Sequence, residues 1–134
     1  DMVYSFDVIE HFKTNKEVDQ YLREAQRVLK PKGLLAIQTP NRYRLSVRLM
    51  AILGKRRKWP YHLGKHKVLG EVIHYREYNQ EELEKLVQSS GFKDIKTDPL
   101  WFGLGYPGNG NWGFARPPRW LKNFAHVIFL TAQK

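Results

Sequence analysis

Residues 1–41 constrain the fold more than any other stretch. They run as an apolar strand (Met2 to Phe6), an acidic turn ending in Glu10-His11, and a helix closing on Arg27-Val28-Leu29-Lys30-Pro31-Lys32-Gly33. A second apolar strand (Leu34 to Thr39) and Pro40-Asn41 follow. A strand that delivers polar side chains at its C-terminal end, then a crossover helix and another buried strand, is how open α/β sheets build ligand sites. The helix limits follow from local chemistry. Thr14-Asn15-Lys16-Glu17 has the spacing of a capping box, and Val18, Tyr21, Leu22, Ala25, Val28 and Leu29 form an apolar stripe of helical period. Pro31 disfavours helical geometry at Lys30 and offers no amide, so the helix ends near Leu29, and Gly33 is expected to supply the turn into the next strand.

A second helix is predicted from Asn79, with Glu82 three residues on, Tyr78 and Leu83 as a hydrophobic staple, and Leu83, Leu86 and Val87 buried. Gly91 caps it before a weaker strand, Phe92 to Thr97. The last strand, Ala125 to Ala132, is apolar on both faces, which places it inside the sheet. Because both opening strands are also near-continuous apolar runs, the sheet is expected to be covered on both sides.

The 134 residues suffice for one domain. There is no cysteine, which excludes disulfides, thiolate zinc sites and cysteine nucleophiles and fits a cytoplasmic setting. The longest apolar run is too short to cross a bilayer, and no signal peptide is visible. Nearly all of the net charge of +10 sits in one segment: Arg42 to Arg76 holds ten Lys/Arg against the single acid Glu71. Any account of a partner has to explain that segment rather than the whole surface.

Three stretches together carry a resemblance: Asp1 to His11, Leu22 to Asn41 (with Arg27-Val-Leu-Lys-Pro-Lys-Gly33), and His74-Tyr-Arg-Glu-Tyr78-Asn with Glu82-Leu83 and Gly91-Phe92. In this order and spacing they resemble the C-terminal half of a class I S-adenosylmethionine-dependent methyltransferase. Within that superfamily they are most similar to the small-molecule branch that includes the ubiquinone-biosynthesis O-methyltransferases. The family usually has Pro-Gly-Gly where this chain has Pro31-Lys32-Gly33, a departure at an exposed turn. The resemblance implies a partial Rossmann-like α/β fold, strands four to seven of a seven-stranded sheet, with the last strand antiparallel and inserted between the fifth and sixth. It also implies that the glycine-rich cofactor loop and the ribose-binding acid precede Asp1. We therefore expect a fragment, or a reading frame assigned too short, whose first strand has a bare edge and an uncovered apolar face and which is poorly stable or sticky alone.

The resemblance places Ser5, Phe6 and Asp7 beside bound S-adenosylmethionine, and Glu10 and His11 on the acceptor side as the candidate catalytic pair. Methyl transfer needs alignment and a base for the acceptor proton. Ubiquinone-type relatives have carboxylate-x-x-Glu-His here and some hold a divalent metal with it. Asp7-Val8-Ile9-Glu10-His11 has that spacing, so these three residues are the set that could bind such an ion, although no metal is the leading expectation. The competing structural reading makes Glu10 a helix cap or ion-pair partner, His11 a packed residue and Asp7 a turn residue. Thr39-Pro40-Asn41 reads as turn chemistry or as a ligand contact, and His74 as a packed or solvated residue or as part of the pocket rim. His62, His66 and His126 have no metal-ligand spacing.

Residues 42–73 read as a basic helical insertion. Leu45, Leu49, Ile52 and Leu53 share a helical face with Arg44 and Arg48 off it, followed by Lys55-Arg56-Arg57-Lys58 and Trp59-Pro60-Tyr61. This pattern fits a cap over the pocket with solvated charges, adsorption to an anionic membrane surface through 42–67, or recognition of an anionic substrate; nucleic acid ranks last because no reader motif accompanies the cations. Residues 99–120 form a Gly/aromatic loop with Trp101, Phe102, Tyr106, Trp112, Phe114 and Trp120, either a lid or a loop collapsed on the sheet edge. The function expected is methyl transfer to a small organic acceptor, at oxygen, within a longer parent chain. The alternatives are a non-catalytic basic module on membrane or nucleic acid, and a degenerate pseudo-enzyme.

Overall fold

The computed structural model describes residues 1–68, 70–105 and 112–134. In chain order the elements are β1 (Met2–Phe6), α1 (Asn15–Val28), β2 (Leu34–Pro40), α2 (Leu45–Ile52), β3 (Tyr61–His66), β4 (Gly70–His74) and α3 (Gln80–Ser89). They continue with β5 (Lys93–Leu100), β6 (Phe102–Gly103), β7 (Gly113–Phe114) and β8 (Val127–Gln133). Short 3-10 helices occupy Ile9–His11 and Arg119–Phe124. Both predicted capping boxes form, Thr14 with Glu17 and Asn79 with Glu82, each satisfying two orphan amides.

The main sheet has the order β1-β2-β8-β5. β1 runs parallel to β2, while β8 is antiparallel to both β2 and β5. This is the inserted antiparallel strand that the resemblance implies. The core forms where α1 (Val18, Leu22, Ala25) and α3 (Leu83, Val87) pack on Leu35 and Ile37 of β2 and on Ile128, Leu130 and Ala132 of β8.

Coverage on both sheet faces, expected from the apolar strands, is incomplete in the structure. Both helices of the core lie on one face, the one that carries Val3, Leu35 and Leu130. On the other, Met2, Tyr4 and Phe6 are 58%, 68% and 49% exposed, and Leu34 beside them is 45% exposed. Burial of a strand on both faces requires a second layer; on this face Ala36, Pro40 and Val127 are buried, and β1 is the strand left open.

Three local expectations also change. The left-handed residue of the Pro31-Lys32-Gly33 turn is Lys32 (φ 63), not Gly33. Gly33 is needed for close approach instead: a Cβ there would lie 2.6 Å from the Asp1 carboxylate and 2.9 Å from Leu29. Residues 42–73 are helical only in α2. Gly54 (φ 74) ends it, and the stretch after Pro60 pairs as the hairpin β3–β4. In the Gly/aromatic segment, Pro99 and Leu100 continue β5, because β8 offers Ile128 and Val127 as partners. Phe102–Gly103 pairs with Gly113–Phe114 as a short ladder. Tyr106 lies outside the described residues.

Candidate active site

The C-terminal ends of β1 and β2 converge on a small set of buried polar groups. After β1 the chain turns through Asp7 (φ 52), whose amide donates to the Gln38 carbonyl at 2.9 Å. The following 3-10 turn drives Glu10 inward until it is fully buried. Its Oε2 accepts a hydrogen bond from the Thr39 hydroxyl at 2.9 Å, and its carbonyl accepts from the Tyr75 amide at 2.9 Å. Oε1 has no hydrogen-bond partner among the described residues. Burial raises the Glu10 carboxyl to about 7, against the partial opposition of its hydrogen bonds.

His11 Nδ1 lies 2.7 Å from the Ile73 carbonyl. A carbonyl oxygen only accepts, so Nδ1 carries the proton and Nε2 of the neutral ring holds a lone pair. The His11 ring meets the His74 ring edge-on, with centroids 4.9 Å apart. His74, at the end of β4, is buried with Nε2 3.9 Å from Glu10 Oε1 and Nδ1 3.3 Å from Glu77 Oε1. The set able to hold a divalent ion is therefore Glu10, His11 and His74, whose ligand atoms lie within 4.8 Å of one another. Asp7 is not in it. Two nitrogens and a carboxylate with an unserved oxygen suit such an ion chemically.

Glu77 anchors the wall behind His74. It is buried and accepts hydrogen bonds from Nη1 and Nη2 of Arg44, the latter at 3.0 Å, and from Arg57 at 3.1 Å. Burial pushes its carboxyl up, but the His74 and Arg44 hydrogen bonds and the two guanidinium charges outweigh this and hold it below the usual range. Arg44, which the sequence places off the apolar helix face, is buried as the residue that precedes α2. Asn41 is structural: its amide donates to the Asn123 and Ala125 carbonyls, and its Oδ1 accepts from the Tyr43 amide.

A cavity of ≈250 Å³ opens on this wall, bounded by Arg44, Arg57, Tyr61, His74, Glu77 and His126. Burial, and next the Arg44 charge, lower His126 to about 4, so it is neutral at ordinary pH. A larger cavity of ≈440 Å³ lies between α3, β5 and Asn123, and none of Glu10, His11 and His74 lines it. His74, alone of the three, lines the smaller one.

Of the residues expected beside a cofactor, Ser5 is buried with an Oγ that has no partner among the described residues, Phe6 is half exposed on the open face of β1, and the Asp7 carboxylate accepts from Gln38 at 3.4 Å. An unpartnered hydroxyl, an open ring and a carboxylate at the end of a parallel strand suit a ligand with polar, planar and cationic parts. Sequence reasoning passed over Glu77, Arg44 and the positioning role of Thr39. The one available signal was Glu77 three residues after His74, inside a motif read for its order alone.

Residues 1–97 match the family model for a methyltransferase domain. A protein of Mycobacterium tuberculosis named as a probable S-adenosylmethionine-dependent methyltransferase is 33% identical over 103 residues, 77% of this chain and 30% of that protein. A similarly named protein of Mycolicibacterium smegmatis is 31% identical over 105 residues, 78% of this chain and 33% of its own length. The chain thus spans about a third of the length of the curated relatives it matches. Its fold is shared with SAM-dependent methyltransferases of Thermotoga maritima (TM-score 0.61, 18% identity) and Methanosarcina mazei (TM-score 0.62, 14% identity). All of this chain aligns with 55% and 58% of theirs. The chain belongs to the methyltransferase-domain family, and its fold is Rossmann-like.

Proposed function

We propose that this chain is the acceptor side of an S-adenosylmethionine-dependent methyltransferase that methylates an oxygen of a small organic acceptor, working as part of a longer domain. The observation that carries this reading is the hydrogen bond of His11: with Nδ1 donating to the Ile73 carbonyl, Nε2 of a ring that clusters with Glu10 and His74 keeps its lone pair. When bound, S-adenosylmethionine supplies an electrophilic methyl carbon whose bond to sulfur breaks with the electron pair on sulfur. The residues of this chain have to align an acceptor and take one proton. His11 Nε2 takes the hydroxyl proton, and ionised Glu10 steadies the imidazolium through its charge. Thr39 fixes the Glu10 carboxylate, and Ser5, Phe6 and Asp7 hold the cofactor's near edge. Arg44 and Arg57 against Glu77 leave one positive charge on the cavity wall, which favours an acceptor with a neutral or anionic polar end. The longer domain is supported by the bare face of β1 and by the share of the relatives' length that is matched. The lack of cysteine suits a cytoplasmic setting.

Given S-adenosylmethionine and a catechol as acceptor probe, the complete domain is expected to yield a mono-O-methyl product. Cofactor binding with methylation of amine probes alone would overturn the oxygen assignment.

A second reading makes Glu10, His11 and His74 a divalent-metal centre that orients a catecholate-like acceptor, favoured by their clustering and the unserved Glu10 Oε1. Calorimetric titration with Mn²⁺ or Zn²⁺ tests it: binding lost in His74→Ala and kept in Asp7→Ala supports the centre, and absence of binding removes it.

A further inference from the structure

The second half of the basic insertion faces outward with the wrong residues for a solvated cap. No residue of α2 is buried, and at its end Ile52 and Leu53 are 81% and 71% exposed. Every residue of β3 is exposed, Leu63 among them, and Val68 in the turn to β4 is 85% exposed. Trp120, on the 3-10 turn before β8, is 78% exposed. Single exposed apolar side chains are ordinary, but several on adjoining elements mark an interaction surface.

These elements adjoin. Val47 and Met50 of α2 share a cleft with Lys55, Arg56 and Tyr61, and α2 packs beside β6, which packs beside the turn carrying Trp120. The Arg48 guanidinium lies 5.4 Å over the Phe124 ring of that same turn. Exposed Lys55, Arg56, Lys58, Lys65 and Lys67 are interleaved with the apolar side chains. The one acid of the segment, Glu71, is engaged by His62 at 2.8 Å.

Exposed apolar side chains interspersed with cations along the chain decide between partners. A polyanion such as nucleic acid uses the cations and leaves Ile52, Leu53 and Val68 in water. A second copy of the chain would bring two segments of like charge together. An anionic bilayer uses both, with apolar side chains at the headgroup boundary and Lys/Arg heads at the phosphates. We propose that the face formed by the end of α2, the β3–β4 hairpin and Trp120 docks on an anionic lipid surface. The proposal stands apart from the methyl-transfer reading. The two meet at the ≈250 Å³ cavity, which draws Arg57, Tyr61 and Leu63 from this same insertion, so a docked enzyme would take its acceptor at the membrane.

Co-sedimentation of the full chain with vesicles tests it, comparing pure phosphatidylcholine with vesicles containing about 30% phosphatidylglycerol. Binding is expected only to the anionic vesicles. Lys55→Gln with Arg56→Gln and Lys58→Gln should weaken it about a hundredfold, at roughly a factor of five per cation. Ile52→Ser with Leu53→Ser should weaken it about tenfold or more, with the circular dichroism of both variants unchanged. Equal binding to phosphatidylcholine, or anionic binding that ignores the Ile52 and Leu53 changes, overturns the proposal. So does tighter binding to a DNA duplex than to anionic vesicles.

Discussion

Nε2 of His74 lies 3.9 Å from Oε1 of Glu10, the one oxygen of that buried carboxylate that no hydrogen bond serves among the described residues. The pair joins two halves of the site: Glu10 leaves β1 through Ile9–His11, and His74 returns at the end of the basic insertion. Thr39 fixes the other Glu10 oxygen and Glu77 the other His74 nitrogen. The gap between them is therefore a place where Glu10 Oε1 has unmet polar capacity among the described residues.

Stability should respond to pH through Glu10 and His126 in opposite senses. Glu10 is raised from 4.5 to about 7, so between those values the folded state holds a proton that the unfolded state has lost, and stability falls as pH rises. His126 is lowered from 6.5 to about 4, so between those values the unfolded state holds the extra proton, and stability rises with pH. Over the shared range the two slopes cancel, and the wild type should be flat in these terms. Glu10→Gln should uncover a rise of about 1.4 kcal/mol per pH unit, and His126→Gln a fall of about the same size. Denaturant unfolding at a series of pH values measures both; parallel slopes in the two variants would refute the assignment.

Glu77 is the shared counter-ion of Arg44 and Arg57. Glu77→Ala leaves the Arg44 guanidinium buried without its carboxylate and should cost about 3–5 kcal/mol. Arg44→Met with Glu77→Leu should recover much of that loss, because replacing both charges removes the uncompensated one. Chemical denaturation of the three chains checks the order.

Lys32→Gly should stabilise the chain by about 0.5–1 kcal/mol. Its φ of 63 costs a side-chain-bearing residue about 1–2 kcal/mol, part of which the greater freedom of glycine in the unfolded chain takes back. The same change at an exposed residue of ordinary φ, Lys30→Gly, should destabilise. Thermal unfolding of the two variants separates the cases.

The bare face of β1 should bind a hydrophobic dye. Met2→Lys with Tyr4→Lys should lower dye fluorescence and aggregation of the chain on its own, because both side chains are already more than half exposed. A chain that binds no dye and stays monodisperse would show that this face is satisfied in solution.

Periodicity and capping chemistry made most of the fold legible. Thr14, Glu17, Asn79 and Glu82 sit where two helix starts require them, and Met2 to Phe6 and Leu34 to Pro40 form the strands their apolar runs indicate. The bare face of β1 came from the resemblance and not from periodicity, because an apolar run states what burial a strand needs and not whether a layer exists to provide it. The hairpin β3–β4 was hidden too, since Tyr61–His66 is polar and wholly exposed and carries no alternation. Within the site, adjacency in sequence brought Glu10 and His11 together. His74 and Glu77 come from more than 60 residues away, and only the pairing of β3 with β4 and the chain path before α3 deliver them.

The central claim is that His11, held by Ile73 and facing Glu10 and His74, is the base for methyl transfer. It is tested most directly by measuring kcat and S-adenosylmethionine affinity together for His11→Ala in the complete domain. The account predicts a fall in kcat of roughly 10²-fold or more with cofactor affinity unchanged. A kcat within a few-fold of the wild type, or a loss confined to cofactor binding, would contradict it.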